Sequence, residues 1–188
     1  YPFSQALYLG IFHSVSAFCN AGFSLFSDSF MSYRGDWVVN LTLIILIVLG
    51  GLGFLVIMDL LNQRRYFLHG YWRKLCLHSK LVLAMSVVLY GVGFILFFAL
   101  EYMNSLGSLP FDEKILAALF QAVTTRTAGF NTIDIGMMTN AMLFIFLILM
   151  FIGASPGSCG GGIKTTTFAI LMASIISRFR SRTPKATR

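Results

Sequence analysis

Long apolar runs separated by short polar segments dominate this chain. Residues 38–58 and 81–100 contain no charged side chain, and about 20 apolar residues in an α-helix cross a hydrocarbon layer of roughly 30 Å. A third apolar tract covers 135–163 and 165–177, and as one helix it would reach about 65 Å. It must therefore be interrupted. The interruption is predicted at 153–162, where six of the ten residues are Gly or Pro and helix propensity is poorest.

Two shorter apolar segments, 3–18 and 115–123, each lie upstream of a span that runs inward. Segments of about 10 to 15 apolar residues are too short to cross a bilayer comfortably. A segment that starts and ends on the same side of the membrane has to be re-entrant. The pattern therefore predicts two re-entrant helices that enter from the outer side.

The distribution of charge predicts the orientation of the spans. The linker 62–80 and the tail 178–188 are rich in Arg and Lys and contain no acid, whereas 28–36 and 101–114 carry most of the acids. Lys and Arg accumulate in the cytoplasmic loops of membrane proteins. We therefore expect the linker and the tail to be cytoplasmic and the two acidic segments to face outward.

Composition agrees with a membrane protein. Apolar residues make up 57% of the chain and charged residues 11%, against about 25% charged in soluble domains. The net charge of +7 fits cytoplasmic flanks of spans and gives no reason to expect nucleic acid. The three cysteines form no C-x-x-C pair, so neither a disulfide framework nor a thiolate metal site is indicated. Because the chain opens on Tyr1 without an initiator Met or a signal peptide, we expect it to be a piece of a longer protein.

A sequence repeat connects the two re-entrant segments. Residues 16–24 align with 123–131, both copies contain Ala-Gly-Phe, and Gly22 and Gly129 are 107 residues apart. Non-helical backbone at membrane depth is tolerated only where it is buried in protein or lines water. A glycine there can take a positive φ, which lets successive carbonyls point the same way and replace the hydration shell of a cation. The repeat therefore predicts a cation filter.

These motifs resemble the Trk/Ktr/HKT superfamily of potassium transporters, and the Ktr-type pore subunit most of all. Three stretches carry the resemblance: 12–23, 124–132 and 153–167. It implies an all-α membrane protein of M1-P-M2 repeats, resembling potassium channels, with re-entrant pore helices and a broken inner helix. In that family four such repeats in one polypeptide surround a pore.

The resemblance also divides the chain. It implies that 1–62 is the pore helix, filter loop and inner helix of the second repeat, and that 63–80 is a basic cytoplasmic linker. The complete third repeat is 81–177, with an intramembrane loop at 153–164, and 178–188 is a basic cytoplasmic tail. The first and fourth repeats and the outer helix of the second would lie outside this sequence.

Two sets of residues are assigned to the ion pathway by the resemblance. The potassium filter is expected in four consecutive residues of each filter loop: Cys19, Asn20, Ala21, Gly22, Arg126, Thr127, Ala128 and Gly129. The gate is expected in the intramembrane loop: Gly153, Ser155, Pro156, Gly157, Ser158, Cys159, Gly160, Gly161, Gly162 and Lys164. No catalytic residue, and no metal other than the transported potassium, is implied.

Two cations lie close to this expected pathway. Lys164 either extends to the inner interface as a snorkelling side chain or places its ammonium beside the pore, where it would repel a cation when the loop is shut. An exposed Arg126 would oppose conduction. We therefore expect it to point behind the filter and brace carbonyls or a neighbouring loop.

The function implied by the resemblance is potassium uptake across the plasma membrane, stimulated by or coupled to sodium and gated by the intramembrane loop. It implies a homodimer in the lipid bilayer bound to a cytoplasmic nucleotide-binding ring, with no cofactor, no nucleic acid and no enzymatic activity. The alternative is an intramembrane serine hydrolase that uses Ser155, because residues 153–157 fit G-x-S-x-G. A nucleophile elbow also needs a strand-to-helix turn and a nearby His and acid.

Overall fold

A computed structural model describes residues 1–64 and 71–181, so residues 65–70 of the expected linker and 182–188 of the expected tail lie outside the described residues. The described part of the chain folds into eight α-helices: α1 Phe3–Phe18, α2 Trp37–Leu52, α3 Phe54–Asn62, α4 Tyr71–Lys74, α5 Leu77–Glu101, α6 Phe111–Thr124, α7 Asn140–Phe151 and α8 Thr165–Ser181. Single 3-10 turns at Met31–Tyr33 and Ile135–Met137 precede α2 and α7. The all-α prediction is confirmed.

One helix in the described ranges, α5, is by itself long and apolar enough to cross a membrane, with 25 residues and a mean hydropathy of 2.5 in its most apolar window. It confirms the predicted span at 81–100. The helices α7 and α8 are shorter and apolar, and the chain between them is not helical over 152–164. The third apolar tract is therefore broken where the glycines predict.

The prediction of one continuous helix at 38–58 is wrong. The helix α2 ends at Leu52, α3 begins at Phe54, and their axes differ by 96°. Between them Gly53 takes a φ of +85°, a conformation that favours glycine. Gly50 and Gly51 weaken the last turn of α2 further. A hydropathy profile misses this bend because the residues on both sides are equally apolar.

Two pore-helix candidates occupy the places predicted for re-entrant segments. The helix α1 coincides with the predicted 3–18, and α6 begins at Phe111, four residues before the predicted start. Asp112 and Glu113 in its first turn favour this earlier start because acids are stabilising at the positive end of a helix. The helix α1 packs on α2, α6 packs on α5, and α2 also packs on α6. This last contact joins the two repeats.

One hydrophobic core lies between the repeats, behind the two loops that follow α1 and α6. Its buried members come from both halves of the chain: Ala17, Phe30, Leu43, Ile44, Ile47, Phe120, Val123, Ala128 and Phe130. Between the segment before α2 and the start of α6, the Arg34 Nε donates to Glu113 Oε2 at 3.1 Å. The loops are thus held by packing from both repeats.

Candidate ion filter and gate

The two loops that contain the expected filter residues share an unusual backbone. Asn20 and Gly22 have φ values of 51° and 71°, and the equivalent Thr127 and Gly129 have 70° and 88°; the residue between each pair has a negative φ. Positive φ is a genuine outlier for a β-branched residue such as Thr, and strain of this kind clusters at functional sites. Alternating signs of φ can turn successive carbonyls to one side, which is what a carbonyl-lined cation site requires.

The loops also lie against each other at the two repeat glycines. A Cβ built on Gly22 would be 2.6 Å from the Ala128 carbonyl oxygen, and one built on Gly129 would be 3.2 Å from the Gly22 Cα. Beyond the glycines, the Phe30 N–H donates to the Asn131 carbonyl at 2.9 Å. The structure therefore brings together the loops that the sequence repeat paired.

A hydroxyl at the end of each pore helix holds the loop that follows. The Ser16 hydroxyl donates to the Phe23 carbonyl, and the Thr124 hydroxyl donates to the Phe130 carbonyl, both at 2.8 Å. The two donors are displaced by one position in the repeat alignment. The sequence alone therefore does not pair them, although each hydroxyl binds the carbonyl of the Phe that follows the repeat glycine.

Two polar side chains of α1 and the loop that follows it turn into the protein. Asn20 is buried, and its amide donates to the Ile47 carbonyl of α2 at 3.4 Å. His13 is also buried, and its Nε2 accepts from the Leu25 N–H at 3.1 Å while Nδ1 lies 2.8 Å from the Leu9 carbonyl. Sequence reasoning missed this role of His13. The available signal was its position one helical turn before Ser16.

Arg126 points behind its loop, as the sequence led us to expect. Its side chain is 4% exposed, its Nη2 donates to the Gly153 carbonyl at 3.2 Å, and its guanidinium lies 4.7 Å from the centroid of the Tyr90 ring. The neighbouring Thr127 hydroxyl accepts from the Gly161 N–H at 3.1 Å. The expected gate loop therefore lies directly against the loop that follows α6.

Residues 152–164 contain the expected gate and are called the gate loop. The chain loops round here so that its two ends lie side by side and parallel. Ile152 and Ile163 form an isolated parallel β-bridge, and the Gly153 N–H donates to the Ile163 carbonyl at 3.0 Å. A Cβ on Gly153 would lie 1.8 Å from the Gly161 carbonyl oxygen. The two limbs of the loop can approach this closely only because glycine occupies position 153.

The same loop fills the break between α2 and α3. The last carbonyls of α2 and the first N–H groups of α3 lack partners within their helices. Three backbone hydrogen bonds from or to the gate loop satisfy groups at this break: Ser155 N–H to Gly51 O at 3.1 Å, Cys159 N–H to Gly50 O at 3.2 Å, and Phe54 N–H to Gly157 O at 3.1 Å. The loop at the break between α7 and α8 therefore also provides the hydrogen-bond partners at the bend between α2 and α3.

Two further residues predicted for the gate, Lys164 and Ser155, are fixed by local contacts. The Lys164 ammonium donates to the Gly160 carbonyl at 2.7 Å, within its own loop, and is half-buried. Ser155 is fully buried, and its hydroxyl accepts from the Thr165 hydroxyl at 3.3 Å. A buried serine bonded to a threonine is not the exposed, histidine-paired nucleophile that hydrolysis needs.

Comparison with known proteins identifies the family. The sequence matches the TrkH family, described as "Cation transport protein", over residues 4–187. The chain belongs to this family. The resemblance inferred from the filter motifs is confirmed, and a family of transport proteins gives no support to the hydrolase alternative.

Individual relatives of this TrkH-family chain agree. It is 43% identical over 184 residues to the Ktr system potassium uptake protein B of Bacillus subtilis (strain 168), covering 97% of this chain and 40% of the relative. It is 46% identical over 169 residues to the protein of the same name from Vibrio alginolyticus, covering 87% and 36%. It is 38% identical over 184 residues to the potassium/sodium uptake protein NtpJ of Enterococcus hirae, covering 97% and 40%. The chain thus spans well under half the length of these relatives.

The fold is also that of a solved transporter. The crystal structure of the potassium transporter TrkH from Vibrio parahaemolyticus aligns with a TM-score of 0.71 at 25% identity, over 96% of this chain and 38% of that one. The fold class inferred from the sequence is therefore confirmed. Membership of a cation transport family, together with the apolar α5, makes this chain part of a membrane protein.

Proposed function

We propose that this chain supplies two of the loops that line a potassium pore, and that the complete protein takes up potassium across the plasma membrane. The observation that carries the proposal is the matched backbone of the two loops, with positive φ at Asn20 and Gly22 and again at Thr127 and Gly129. Relatives named as potassium uptake proteins support the choice of ion.

The chemistry follows from the backbone and the pore helices. Carbonyls turned to one side by alternating φ replace the water around a dehydrated potassium ion. The helices α1 and α6 end at Phe18 and Thr124, directly before the two loops, and the C-terminal end of a helix is equivalent to roughly half a negative charge. Both features favour a monovalent cation at the point where the loops meet.

The gate is assigned to residues 153–164, within the gate loop. Its backbone is bonded to Arg126 and Thr127 through Gly153 and Gly161, so a loop in this position closes the pathway on its inner side. Glycines and Pro156 leave the backbone without helix propensity. Such a segment can hold two arrangements that differ by only a few kcal/mol.

The remaining assignments concern the assembled protein. Sodium is proposed to stimulate uptake or to accompany potassium, in keeping with a relative named as a potassium/sodium uptake protein. The pore subunit is proposed to be a homodimer that binds a cytoplasmic nucleotide-binding ring, with the linker 62–80 and the tail 178–188 on the cytoplasmic side. The excess of Arg and Lys in both segments supports this orientation.

Rescue of a cell that lacks potassium uptake tests the proposal. The full-length parent gene should restore growth at low potassium and produce saturable potassium uptake that sodium increases. A properly inserted parent protein that moves no potassium would overturn the proposal. A Ser155→Ala variant in the same cells should still take up potassium, since no nucleophilic chemistry is assigned to that hydroxyl.

A further inference from the structure

Arg126 is a buried cation without an acidic partner in the part of the chain that the structure describes. Arg34, by contrast, forms an ion pair with Glu113. The Arg126 guanidinium has the Tyr90 ring and the Gly153 carbonyl as partners, and its Nε has no hydrogen-bond partner among the described residues. Burying a charge is costly unless it is paired or hydrogen-bonded. The single carbonyl from the gate loop is therefore an important part of its solvation.

The side chains of Arg126 and Thr127 bind opposite limbs of the gate loop. Arg126 binds Gly153 on the incoming limb, and Thr127 accepts from Gly161 on the outgoing limb. A Cβ on Gly153 would collide with the Gly161 carbonyl, so these two glycines mark the point where the limbs meet. Both contacts come from residues directly before Ala128 and Gly129 in the filter loop.

We infer that Arg126 is a positioning residue that couples the gate loop to the filter: the docked loop holds the filter in its potassium-binding conformation, and release of the loop loosens it. The inference rests on the proposed function and adds to it a regulation of the same site. Coupling of this kind is reciprocal. Potassium in the filter therefore favours the docked loop by the same factor by which docking favours potassium.

The physical basis is the strain at Thr127. A β-branched residue at a φ of 70° stays there only while its surroundings hold it. When the loop moves away, the Gly153 carbonyl and the Gly161 N–H leave together. The Arg126 guanidinium then needs water as its hydrogen-bond partner, and the Thr127 hydroxyl loses the N–H that it accepted from. The backbone relaxes, and the carbonyls that depend on it lose their alignment.

A double-mutant cycle in the full-length transporter with its cytoplasmic partner tests the coupling. The four proteins are the parent, Arg126→Gln, a deletion of residues 158–161, and the two changes combined. Uptake assays give the potassium KM and the maximal rate of each, normalised to protein in the membrane. Arg34→Gln is the matched control, because it removes a guanidinium that lies outside the filter and the gate.

Each single change should raise the potassium KM about fivefold or more, the lower end of typical coupling between sites, and the combined variant should show no more than the larger single effect. Effects on KM that multiply, or an unchanged KM in Arg126→Gln, would overturn the inference while leaving potassium uptake itself established. If Arg126→Gln fails to insert, Thr127→Val gives the same cycle by removing the hydroxyl that accepts from Gly161. A parent without potassium uptake would overturn both the proposed function and this inference.

Discussion

Gly22 and Gly129 differ in how much room each leaves for a side chain. A Cβ on Gly22 would lie 2.6 Å from the Ala128 carbonyl oxygen, closer than real Cβ atoms come, so backbone would have to shift. A Cβ on Gly129 would lie 3.2 Å from the Gly22 Cα, which asks for a displacement of a few tenths of an ångström. Both positions also have positive φ, which any other residue adopts with strain.

Gly129→Ser in the full-length protein should weaken potassium selectivity and raise the potassium KM while leaving the amount of inserted protein near normal. Gly22→Ser should weaken selectivity and raise the KM further. Potassium uptake kinetics in the presence of competing sodium measure both effects. Gly91→Ser is the control, since a Cβ at that place in α5 meets nothing within 4 Å. Parent-like kinetics in Gly129→Ser would remove the filter assignment.

At the level of elements, the buried carboxylate of Glu101 fastens the end of α5 to the start of α7. Its oxygens accept from the Thr139 N–H at 2.9 Å and hydroxyl at 2.6 Å, and from the Asn104 amide at 2.9 Å. Glu101→Gln replaces an acceptor by a donor and leaves a buried donor unpaired, which costs about 1–3 kcal/mol. Thermal unfolding in detergent should show the loss, whereas Glu113→Gln, in a half-exposed ion pair, should change stability by less than about 1 kcal/mol.

Deletion of residues 158–161 should release the gate loop from two neighbours at once. It removes the Cys159 bond to α2 and the Gly161 bond to Thr127. The maximal transport rate should rise and its response to the cytoplasmic partner should weaken, because the closed arrangement loses its support. Flux measurements with and without the partner check this, at matched protein levels. Unaltered flux and regulation in an inserted protein would mean that the loop is a passive kink.

For the whole molecule, orientation is the open prediction. A cysteine at Gln63, in a background that lacks Cys19, Cys76 and Cys159, should resist membrane-impermeant maleimide in intact cells and react after permeabilisation. A cysteine at Met103, which is 86% exposed, should react from outside. Labelling of position 63 from outside would reverse the topology and place the gate loop between the filter and the outer side of the membrane.

Local sequence was enough for several features of the site. The repeat of Ala-Gly-Phe marked both loops, because glycine is the residue that takes a positive φ without steric cost. The glycine cluster at 153–162 marked the gate loop, because helix propensity is a property of the residues themselves. The direction of Arg126 was also predicted, since a bare cation in a cation pathway is electrostatically excluded.

Other features depend on partners far away in the chain. The backbone groups freed by the 96° bend at Gly53 form hydrogen bonds with Ser155, Gly157 and Cys159, about a hundred positions later in the chain. The role of His13 depends on the Leu25 N–H that the loop returns to it. Neither neighbour is visible in a local window, so the sequence could show that these residues were unusual but not what they touch.

The sequence by itself determined that this is a helical membrane protein with a 107-residue repeat, two short pore helices and one broken apolar tract. Apolar length, charge bias and glycine content act locally, and no tertiary contact is needed to read them. Only the tertiary structure decided that the gate loop occupies the break between α2 and α3 and binds Arg126 and Thr127. Backbone groups freed at a helix end must find a partner, and which partner they find depends on the packing of distant segments.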